Sequence, residues 1–484
     1  MLSPTATPLL LEGATLLTLD DGARVLRRDL LIEDGRIAAF DPPAPPPGAR
    51  RLDLAGSLVL PGLIQGHVHL GQTLFRGLAE ERRLLRWLTE RIWPLEAAHD
   101  EESAYWSGLL GAAECLLGGT TTIQEIGLGP GAGALLHAIG AAGLRGFAGP
   151  CLMDDGDGLP PGLSNPTERA LIVAEELGLR VLGNGGRLRP ALNPRFLLSC
   201  SAELWRGVVT LADRHGWPVH THALEQLDET ALVRARFGRD EVGVFSELGL
   251  LELDLRIAHG VHLDAAHREQ VRGRRFSVCH CPGSNLKLGS GIADVVALRS
   301  AGIPVSVGAD GAPCNNDLDL FEEMRLAALL QKHLHGPASF SGLDALRLAT
   351  SEGARALGLE REVGSIEIGK QADLVVLATD RPELFTLSED LDPEEVGTRS
   401  DVAGLRADGC GLRADGCGLQ ADVCGLRADV HDLVAFGASR ASVRHVLIAG
   451  EPMVEDGRLC HLDLDEIRRE ARRALAGVLR RAGL

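Results

Sequence analysis

Apolar runs alternate with helical stretches from residue 61 to residue 362, and this alternation constrains the fold more than any other feature of the chain. Each run has about four to eight residues, which is the length of a buried strand. Buried parallel strands are nearly continuous apolar runs that helical crossovers connect. The pattern therefore predicts an α/β fold with a (β/α)8 TIM-like barrel. The region is long enough for one, since that fold needs about 250 residues.

The two ends of the chain carry β-type runs separated by Asp-Gly and Gly turns. This pattern fills residues 1–60 and returns after the barrel in "VGSIEIGKQADLVVLATD" and "VRHVLIAGEPMVEDGRL". We therefore expect three regions: 1–60, the barrel at 61–362, and 363–484. The first and third regions can pair into one small sheet domain beside the barrel.

Residues 404–430 form a seven-residue repeat, "GLRADGC GLRADGC GLQADVC GLRADV". A seven-residue period is typical of coiled coils, but each unit here has only one large apolar residue, so it provides no apolar seam. We interpret the repeat as a tandem expansion in a flexible loop. Metal binding by Cys410, Cys417 and Cys424 is the alternative, which the Gly-rich surroundings disfavour.

Charge and composition exclude several classes of partner. The net charge of −18 disfavours nucleic acid and anionic membrane surfaces. No apolar run reaches the roughly 20 residues that span a bilayer, and the chain begins without the basic segment of a secretion signal. The seven cysteines outside the repeat show no CxxC pair, so we expect reduced thiols and a cytoplasmic protein.

Polar residues directly follow several of the predicted barrel strands. The carboxyl ends of barrel strands share one face, which is where the active sites of such barrels lie. An isolated HxH pair is more simply explained as two ordinary surface or core histidines than as a metal site. Packing alone, however, does not explain imidazoles and a carboxylate at four or more strand ends. Imidazoles with a carboxylate suit zinc, and also iron, so the pattern indicates a metal site. The residues concerned are His67, His69, His220, His222, Glu225, His259, His262, His280 and Asp310.

The chain resembles the amidohydrolase superfamily, and within it the metal-dependent aminohydrolases that deaminate 5'-deoxyadenosine, 5'-methylthioadenosine and S-adenosylhomocysteine. The resemblance covers nearly the whole chain except the repeat. It implies a barrel with a small β-sandwich domain formed by both termini, and one divalent metal ion, zinc or alternatively iron. It also implies a small-molecule nucleoside substrate, and we expect a homo-oligomer. The motifs that carry it are "LPGLIQGHVHLGQTLFRG", "WLTERIWPLE", "HTHALE", "AHGVHL", "HCPGSNLKLGSGIA", "GADGAPCNNDLDLFEEMRLAALLQK" and "GSIEIGKQADLVVL".

The same resemblance implies the metal ligands, which would be His67, His69, His222 and Asp310. The family pattern places a ligand three residues before the glutamate of "HTHALE", which selects His222 over its neighbour His220. No lysine occupies a fourth-strand position where a carbamate would bridge two metals, so the chain is similar to the single-metal branch.

The resemblance also implies catalytic roles. A divalent ion lowers the pKa of bound water toward about 7. Asp310 would take a proton from that water, His259 would orient it, and His280 would support this side of the site. Glu225 would protonate the ring nitrogen beside the attacked carbon and then pass a proton to the leaving ammonia. The alternative for Glu225 is a carboxylate that a helix N-terminus stabilises.

Substrate-binding residues are implied by "WLTERIWPLE", where Glu96 would accept ribose hydroxyls and Trp87 would line the pocket. The alternative is a helix with a buried Trp and a solvated Glu. The chain lacks a histidine in "RLRPALNPRF" and an arginine in "FAGPCLMDD", where some relatives contact the nucleoside and the homocysteine tail. These departures favour a small 5' group. Two other readings stay open: a hydrolase of other N-heterocycles, such as guanine-type bases or s-triazines, and a non-catalytic scaffold.

Overall fold

A computed structural model describes residues 7–183, 186–387 and 429–484 of the chain. Residues 404–428 of the predicted loop repeat at 404–430 lie outside the described residues. Only its last two residues are described, where Asp429 caps the helix that begins at Val430. No helix among the described residues is both long and apolar enough to cross a membrane.

The described N-terminal residues form short strands, as the turn-rich pattern predicts. The first and last of these strands carry mostly buried apolar side chains, and the last one ends immediately before the barrel. The strands are β1 Leu9–Glu12, β2 Thr15–Leu17, β3 Val25–Arg27, β4 Leu30–Glu33, β5 Arg36–Phe40, β6 Arg50–Asp53 and β7 Ser57–Pro61.

The next strands build the barrel, and all of their pairings within it are parallel. Several are buried along their whole length, because both faces of a barrel strand are covered. The strands are β8 Leu63–His69, β9 Thr120–Glu125, β10 Arg145–Ala148, β11 Cys151–Leu152, β12 Leu188–Pro190, β13 Asn193–Pro194, β14 Val219–Ala223, β15 Leu255–His259, β16 Phe276–His280, β17 Val305–Val307 and β18 Asp310–Gly311.

Two parallel sheets, β12-β10-β9-β8-β18 and β14-β15-β16-β17, make up the ring. A parallel bridge between Leu192 and Val219 joins β12 to β14 on one side. On the other side β18 follows β17 along the chain and pairs with β8, with Asp310 opposite Val68. The predicted α/β fold with a parallel barrel is therefore confirmed.

Helices connect the barrel strands and pack around them, and two further helices follow near the C-terminus. They are α1 Leu84–Trp87, α2 Trp93–Ala97, α3 Glu101–Leu117, α4 Ala132–Ala142, α5 Thr167–Gly183, α6 Ala202–His215, α7 Leu227–Phe237, α8 Glu241–Glu247, α9 Ala265–Val271, α10 Pro282–Lys287, α11 Val295–Ser300, α12 Ala312–Asn315, α13 Leu320–His335, α14 Gly342–Leu348, α15 Ser351–Ala356, α16 Val430–Gly437 and α17 Leu464–Ala482.

Strands from both ends of the chain share one sheet outside the barrel. The last strands are β19 Leu374–Ala378, β20 Val443–Ile448, β21 Glu451–Glu455 and β22 Arg458–Leu459. They extend a sheet of order β22-β21-β20-β19-β7-β2-β3, and a second sheet has the order β5-β4-β1-β6. Buried residues of both sheets, among them Leu11, Leu30, Leu16 and Val376, form one hydrophobic cluster.

Candidate metal centre and active site

Four predicted ligands converge at the carboxyl end of the barrel strands. The ligand atoms of His67, His69, His222 and Asp310 all lie within 4.8 Å of one another. Asp310 Oδ1 is 3.3 Å from the Nε2 atoms of both His67 and His69. His69 Nε2 is 3.1 Å from His222 Nε2. The structure therefore brings together the set of residues that the sequence singled out.

Strand geometry explains this convergence. His67 and His69 are two residues apart on β8, and side chains two apart on a strand point to the same face. The pairing of β18 with β8 places Asp310 beside the His67–His69 segment. His222 comes from β14, on the far side of the ring, so the four side chains meet across the barrel mouth.

His222 and His67 each have a nitrogen that is free for a divalent metal. A carbonyl oxygen only accepts, so His222 Nδ1 must donate to the Arg195 carbonyl at 2.7 Å, which leaves the lone pair of His222 on Nε2. Among the described residues, the buried His67 Nε2 has no hydrogen-bond partner. Buried polar atoms are rarely left unpaired, and three imidazoles with one carboxylate are a common set of zinc ligands. The residues therefore fit a divalent ion.

Burial keeps the ligand histidines neutral. Burial lowers the pKa of His67, and it lowers the pKa values of His69 and of the partly buried His222 well below the usual value of the imidazole. A neutral imidazole retains the lone pair that a metal ligand needs, whereas a protonated one does not. The burial of the site therefore favours metal binding at neutral pH.

Glu225 lies just beyond His222 and faces the centre. Its Oε1 accepts a hydrogen bond from Ser290 Oγ at 3.1 Å, and its Oε2 is 3.5 Å from His259 Nε2. Burial raises the pKa of Glu225, so the protonated form persists to higher pH than for an exposed glutamate. The carboxyl of Glu229 accepts from the backbone N–H of Glu225 at 3.0 Å and so holds this segment in place.

His259 stands between the two acidic groups. Its Nδ1 donates to Asn285 Oδ1 at 2.9 Å, and its Nε2 lies 3.9 Å from Asp310 Oδ2. Ser284 Oγ donates to the same Asp310 Oδ2 at 2.7 Å. Ser284 and Asn285 are carried by α10, which follows His280, so one short helix fixes both His259 and Asp310.

Three residues at these strand ends have left-handed backbone conformations. The φ angles are +57° at Leu224, +73° at His259 and +61° at Asp310. Residues other than Gly adopt such angles at a cost of about 1–3 kcal/mol, and such residues cluster at functional sites. At these three positions the backbone turns sharply as the chain leaves the strand, and two of the three are predicted catalytic residues.

Four of the predicted strand-end histidines lie outside the four-ligand group: His220, His259, His262 and His280. His280 is fully buried at the end of β16, and both of its ring nitrogens lack a hydrogen-bond partner among the described residues. Burial lowers its pKa to about 3. His262 is likewise absent from the four-ligand group. The supporting role of His280 stays a prediction.

Trp87 and Glu96 lie on one helical stretch in which a π-helical turn, Leu88–Ile92, separates α1 from α2. Such turns are frequent at functional sites. Trp87 lines the cavity in front of the metal ligands. Glu96 is buried behind the cavity, where its carboxylate accepts from Gln72 Nε2 and from Arg195, each at 2.7 Å.

The cavity in front of the predicted ligands is small, with a volume of about 20 Å³, which is room for roughly one water molecule. Its inner end is polar and is formed by the metal ligands and catalytic candidates, and its outer wall is mostly apolar. The lining residues are His69, Leu84, Trp87, Leu88, Arg195, Phe196, His222, Glu225, Glu229, His259, Leu288 and Asp310.

Several supporting residues were missed by sequence reasoning. Arg195, Ser284, Asn285 and Ser290 contact the predicted residues through hydrogen bonds between segments distant in the chain. The only local signal was "PGSN" directly after His280, where a proline opens a helix at a strand end. The sequence does not reveal which side chains that helix presents to the centre.

Several known proteins are similar to this chain. The model of the amidohydrolase family matches residues 58–414. The 5-methylthioadenosine/S-adenosylhomocysteine deaminase of Pelotomaculum thermopropionicum is 32% identical over 474 residues, 96% of this chain and 97% of that protein. The 5'-deoxyadenosine deaminase of Methanothermobacter thermautotrophicus is 37% identical over 378 residues, 78% of this chain and 86% of that protein. The crystal structure of an adenosine deaminase from Xanthomonas campestris with bound zinc has a TM-score of 0.82 and 29% identity, and covers 98% of this chain and 99% of that chain.

Proposed function

The chain belongs to the amidohydrolase family, and we propose that it is a metal-dependent deaminase of adenosine-type nucleosides, with 5'-deoxyadenosine or 5'-methylthioadenosine as substrate. It is a hydrolase that acts on a C–N bond of a cyclic amidine. Water replaces the exocyclic amino group of the base, which yields the inosine analogue and ammonia. The observation that carries this proposal is the four-ligand group with a buried, protonatable Glu225 directly beside it.

We propose zinc as the metal, held by His67, His69, His222 and Asp310. Neutral imidazoles and a carboxylate suit this ion, and iron is the alternative. When bound, a divalent ion supplies Lewis-acid activation of water at neutral pH. The related adenosine deaminase of known structure contains zinc, which supports this choice.

The catalytic roles follow from the hydrogen bonds around each group. Asp310 would accept the proton of the attacking water, and Ser284 holds the second carboxylate oxygen in position. His259 would orient the water through Nε2, because its Nδ1 is fixed by Asn285. Glu225 would donate a proton to the ring nitrogen beside the attacked carbon, since burial favours its acid form.

Glu96 and Trp87 would position the nucleoside. A carboxylate has about four acceptor sites, so the bonds of Glu96 to Gln72 and Arg195 leave acceptor capacity. Because Glu96 is buried and does not line the cavity, contact with ribose hydroxyls would require a shift of the side chains that cover it. The flat side chain of Trp87 in the cavity wall supplies a surface for the base or the sugar.

A small 5' group suits the cavity better than a homocysteine tail. Leu84, Leu88, Phe196 and Leu288 contribute an apolar wall, which favours a methyl or methylthio group. Among the described residues that line the cavity, Arg195 is the only arginine or lysine, and Glu96 already pairs with its guanidinium at 2.7 Å. An amino-acid carboxylate would therefore lack a free cationic partner there.

We further propose the domain division 1–60, 61–362 and 363–484, in which both termini form a small β-sandwich beside the barrel. The shared hydrophobic cluster of the two terminal sheets supports a sandwich. The buried ion pair between Arg145 of β10 and Asp373 at the start of β19, with Nε to Oδ2 at 2.6 Å, supports tight contact with the barrel.

A substrate panel tests the proposed function. Zinc-loaded and iron-loaded protein would be assayed for ammonia release from 5'-deoxyadenosine, 5'-methylthioadenosine, S-adenosylhomocysteine, guanine and an s-triazine. We expect the highest kcat/KM for the first two. The E225Q variant serves as the control for contaminating deaminase.

Two outcomes would reject this function. Turnover of guanine or the triazine without turnover of any adenosine derivative would indicate a hydrolase of another N-heterocycle. Fully metal-loaded protein that turns over none of these compounds would indicate a non-catalytic scaffold.

A further inference from the structure

His220 lies on β14 two residues before the ligand His222, so both side chains point to the interior of the barrel. It is fully buried, and it is not a member of the four-ligand group. Both of its ring nitrogens have partners. Nδ1 lies 3.1 Å from the backbone oxygen of Arg256, and Nε2 lies 2.8 Å from Nδ1 of the ligand His67.

These two contacts determine where the hydrogens lie. The Arg256 oxygen can only accept, so Nδ1 of His220 carries the hydrogen. A neutral imidazole has one N–H, so Nε2 of His220 is an acceptor. His67 Nδ1 must therefore donate to it, and the lone pair of His67 lies on Nε2, the atom 3.3 Å from Asp310 Oδ1.

The opposite arrangement would disable the ligand. If His220 donated from Nε2, His67 Nδ1 would be the acceptor, and in a neutral ring the hydrogen of His67 would lie on Nε2. That nitrogen would then have no lone pair for a metal. The carbonyl of Arg256 excludes this arrangement, although it lies two hydrogen bonds away from the metal position.

We propose that His220 is a positioning residue, which holds His67 in the metal-binding tautomer and orientation through the chain from the Arg256 carbonyl to His220 to His67. His220 itself is not a ligand, because both of its nitrogens are engaged. Metal-binding histidines commonly donate their other N–H to such a partner, and removal of the partner typically weakens metal affinity about 10–100-fold. This inference rests on the metal centre of the proposed function but not on its substrate.

The zinc dissociation constant of three variants tests the proposal, measured by competition with a chelator of known affinity. H220L removes the acceptor, and we expect its Kd for zinc to rise about 10–100-fold. H220Q retains one amide acceptor and one amide donor, so we expect it to recover most of the affinity. H267L is the matched control, since His267 is buried and bonded to Asp240 and Asp264 on a helix away from the site.

Equal zinc affinity of H220L, H267L and the unchanged protein would overturn the proposal. If H220L fails to fold, NMR of the ¹⁵N-labelled, zinc-loaded protein decides the question directly. We expect the hydrogen of His220 and that of His67 both on Nδ1, and a hydrogen on Nε2 of His220 would overturn the proposal. Both measurements are independent of turnover, so failure of the substrate panel with intact zinc binding would leave this inference standing.

Discussion

Three side chains at the centre each have a second polar atom that a defined neighbour holds. The Arg195 carbonyl fixes His222, Asn285 fixes His259, and Ser284 fixes Asp310. Catalytic groups act efficiently when such bonds hold them within about half an ångström of the productive geometry. The site therefore depends on its supporting residues as much as on the ligands.

Replacement of the proposed proton donor Glu225 should impair catalysis and leave the fold intact. We expect E225Q to reduce kcat by about 10²–10⁴-fold, the usual contribution of general acid–base catalysis, because an amide of the same shape cannot donate a proton to the ring nitrogen. D310N removes both a ligand and the proton acceptor, and we expect a loss of at least the same size. Steady-state kinetics, with circular dichroism to verify the fold, measure both. Near-normal rates in either variant would refute the role given to that residue.

The hydrogen bond from Ser290 affects the pKa of Glu225. Burial raises the pKa of Glu225, while the hydrogen bond from Ser290 favours the carboxylate and acts in the opposite direction. We expect S290A to raise this pKa further. The acid form would then persist to higher pH, and the basic limb of the pH profile of kcat/KM would move to higher pH. S300A is the control, since the Ser300 hydroxyl bonds only to Val296 of its own helix among the described residues. A shift of the limb to lower pH in S290A would contradict this assignment.

The sequence predicted the four ligand candidates but not their supports. The strand pattern placed nine polar residues at strand ends, and the resemblance to the amidohydrolase superfamily selected His67, His69, His222 and Asp310 among them. The supporting bonds join positions that are far apart in sequence, such as Glu225 and Ser290. Pairings of this kind depend on how the connecting segments fold back over the barrel mouth, which no local pattern encodes.

At the scale of elements, the barrel closes where β8 meets β17 and β18. The long buried strands β8, β14, β15 and β16 were evident as apolar runs. The two-residue β18 and the π-helical turn at Leu88–Ile92 were not, because tertiary contacts rather than local periodicity define them.

Close packing between β8 and β17 makes glycine necessary at position 66. A Cβ there would lie 2.0 Å from Ser306 Oγ and 2.6 Å from Ser306 Cβ. We expect G66A to lower the free energy of unfolding by about 1–3 kcal/mol, the usual cost of overpacking. In G140A, where a Cβ would meet nothing within 4 Å on an α4 position, we expect no loss. Denaturant unfolding measures both.

A second substitution separates this clash from other effects. S306G removes the two atoms that a Cβ at position 66 would meet most closely and leaves Cys279 Sγ at 2.9 Å, so the double variant G66A/S306G should be more stable than the sum of the two single effects. Strictly additive effects would mean that contact with Ser306 does not explain the glycine.

At the scale of the molecule, strands from opposite sides of the ring supply the ligands, so a bound ion links β8, β14 and β18. The β/α alternation was enough to predict this ring. The arrangement of the terminal sheets was only partly evident, because strands such as β7 and β19 pair across more than three hundred residues.

Metal binding should therefore stabilise the whole fold. A ligand at a free concentration 100 times its Kd stabilises the folded state by about 2.7 kcal/mol. We expect chelation to lower the Tm and added zinc to restore it, whereas D310N should show a much smaller zinc-dependent shift. Thermal unfolding with and without chelator measures this. Equal Tm values for the metal-free and zinc-loaded protein would show that these residues do not form a metal centre in the folded protein.

The most direct test of the account is the product formed from 5'-deoxyadenosine or 5'-methylthioadenosine by the zinc-loaded protein in ¹⁸O-labelled water. Mass spectrometry would follow the base, and an assay of ammonia would follow the leaving group. The account predicts one inosine analogue that carries one ¹⁸O atom in the base, with one ammonia released per product and no conversion by D310N. An unchanged nucleoside, or a product without oxygen from water, would contradict it.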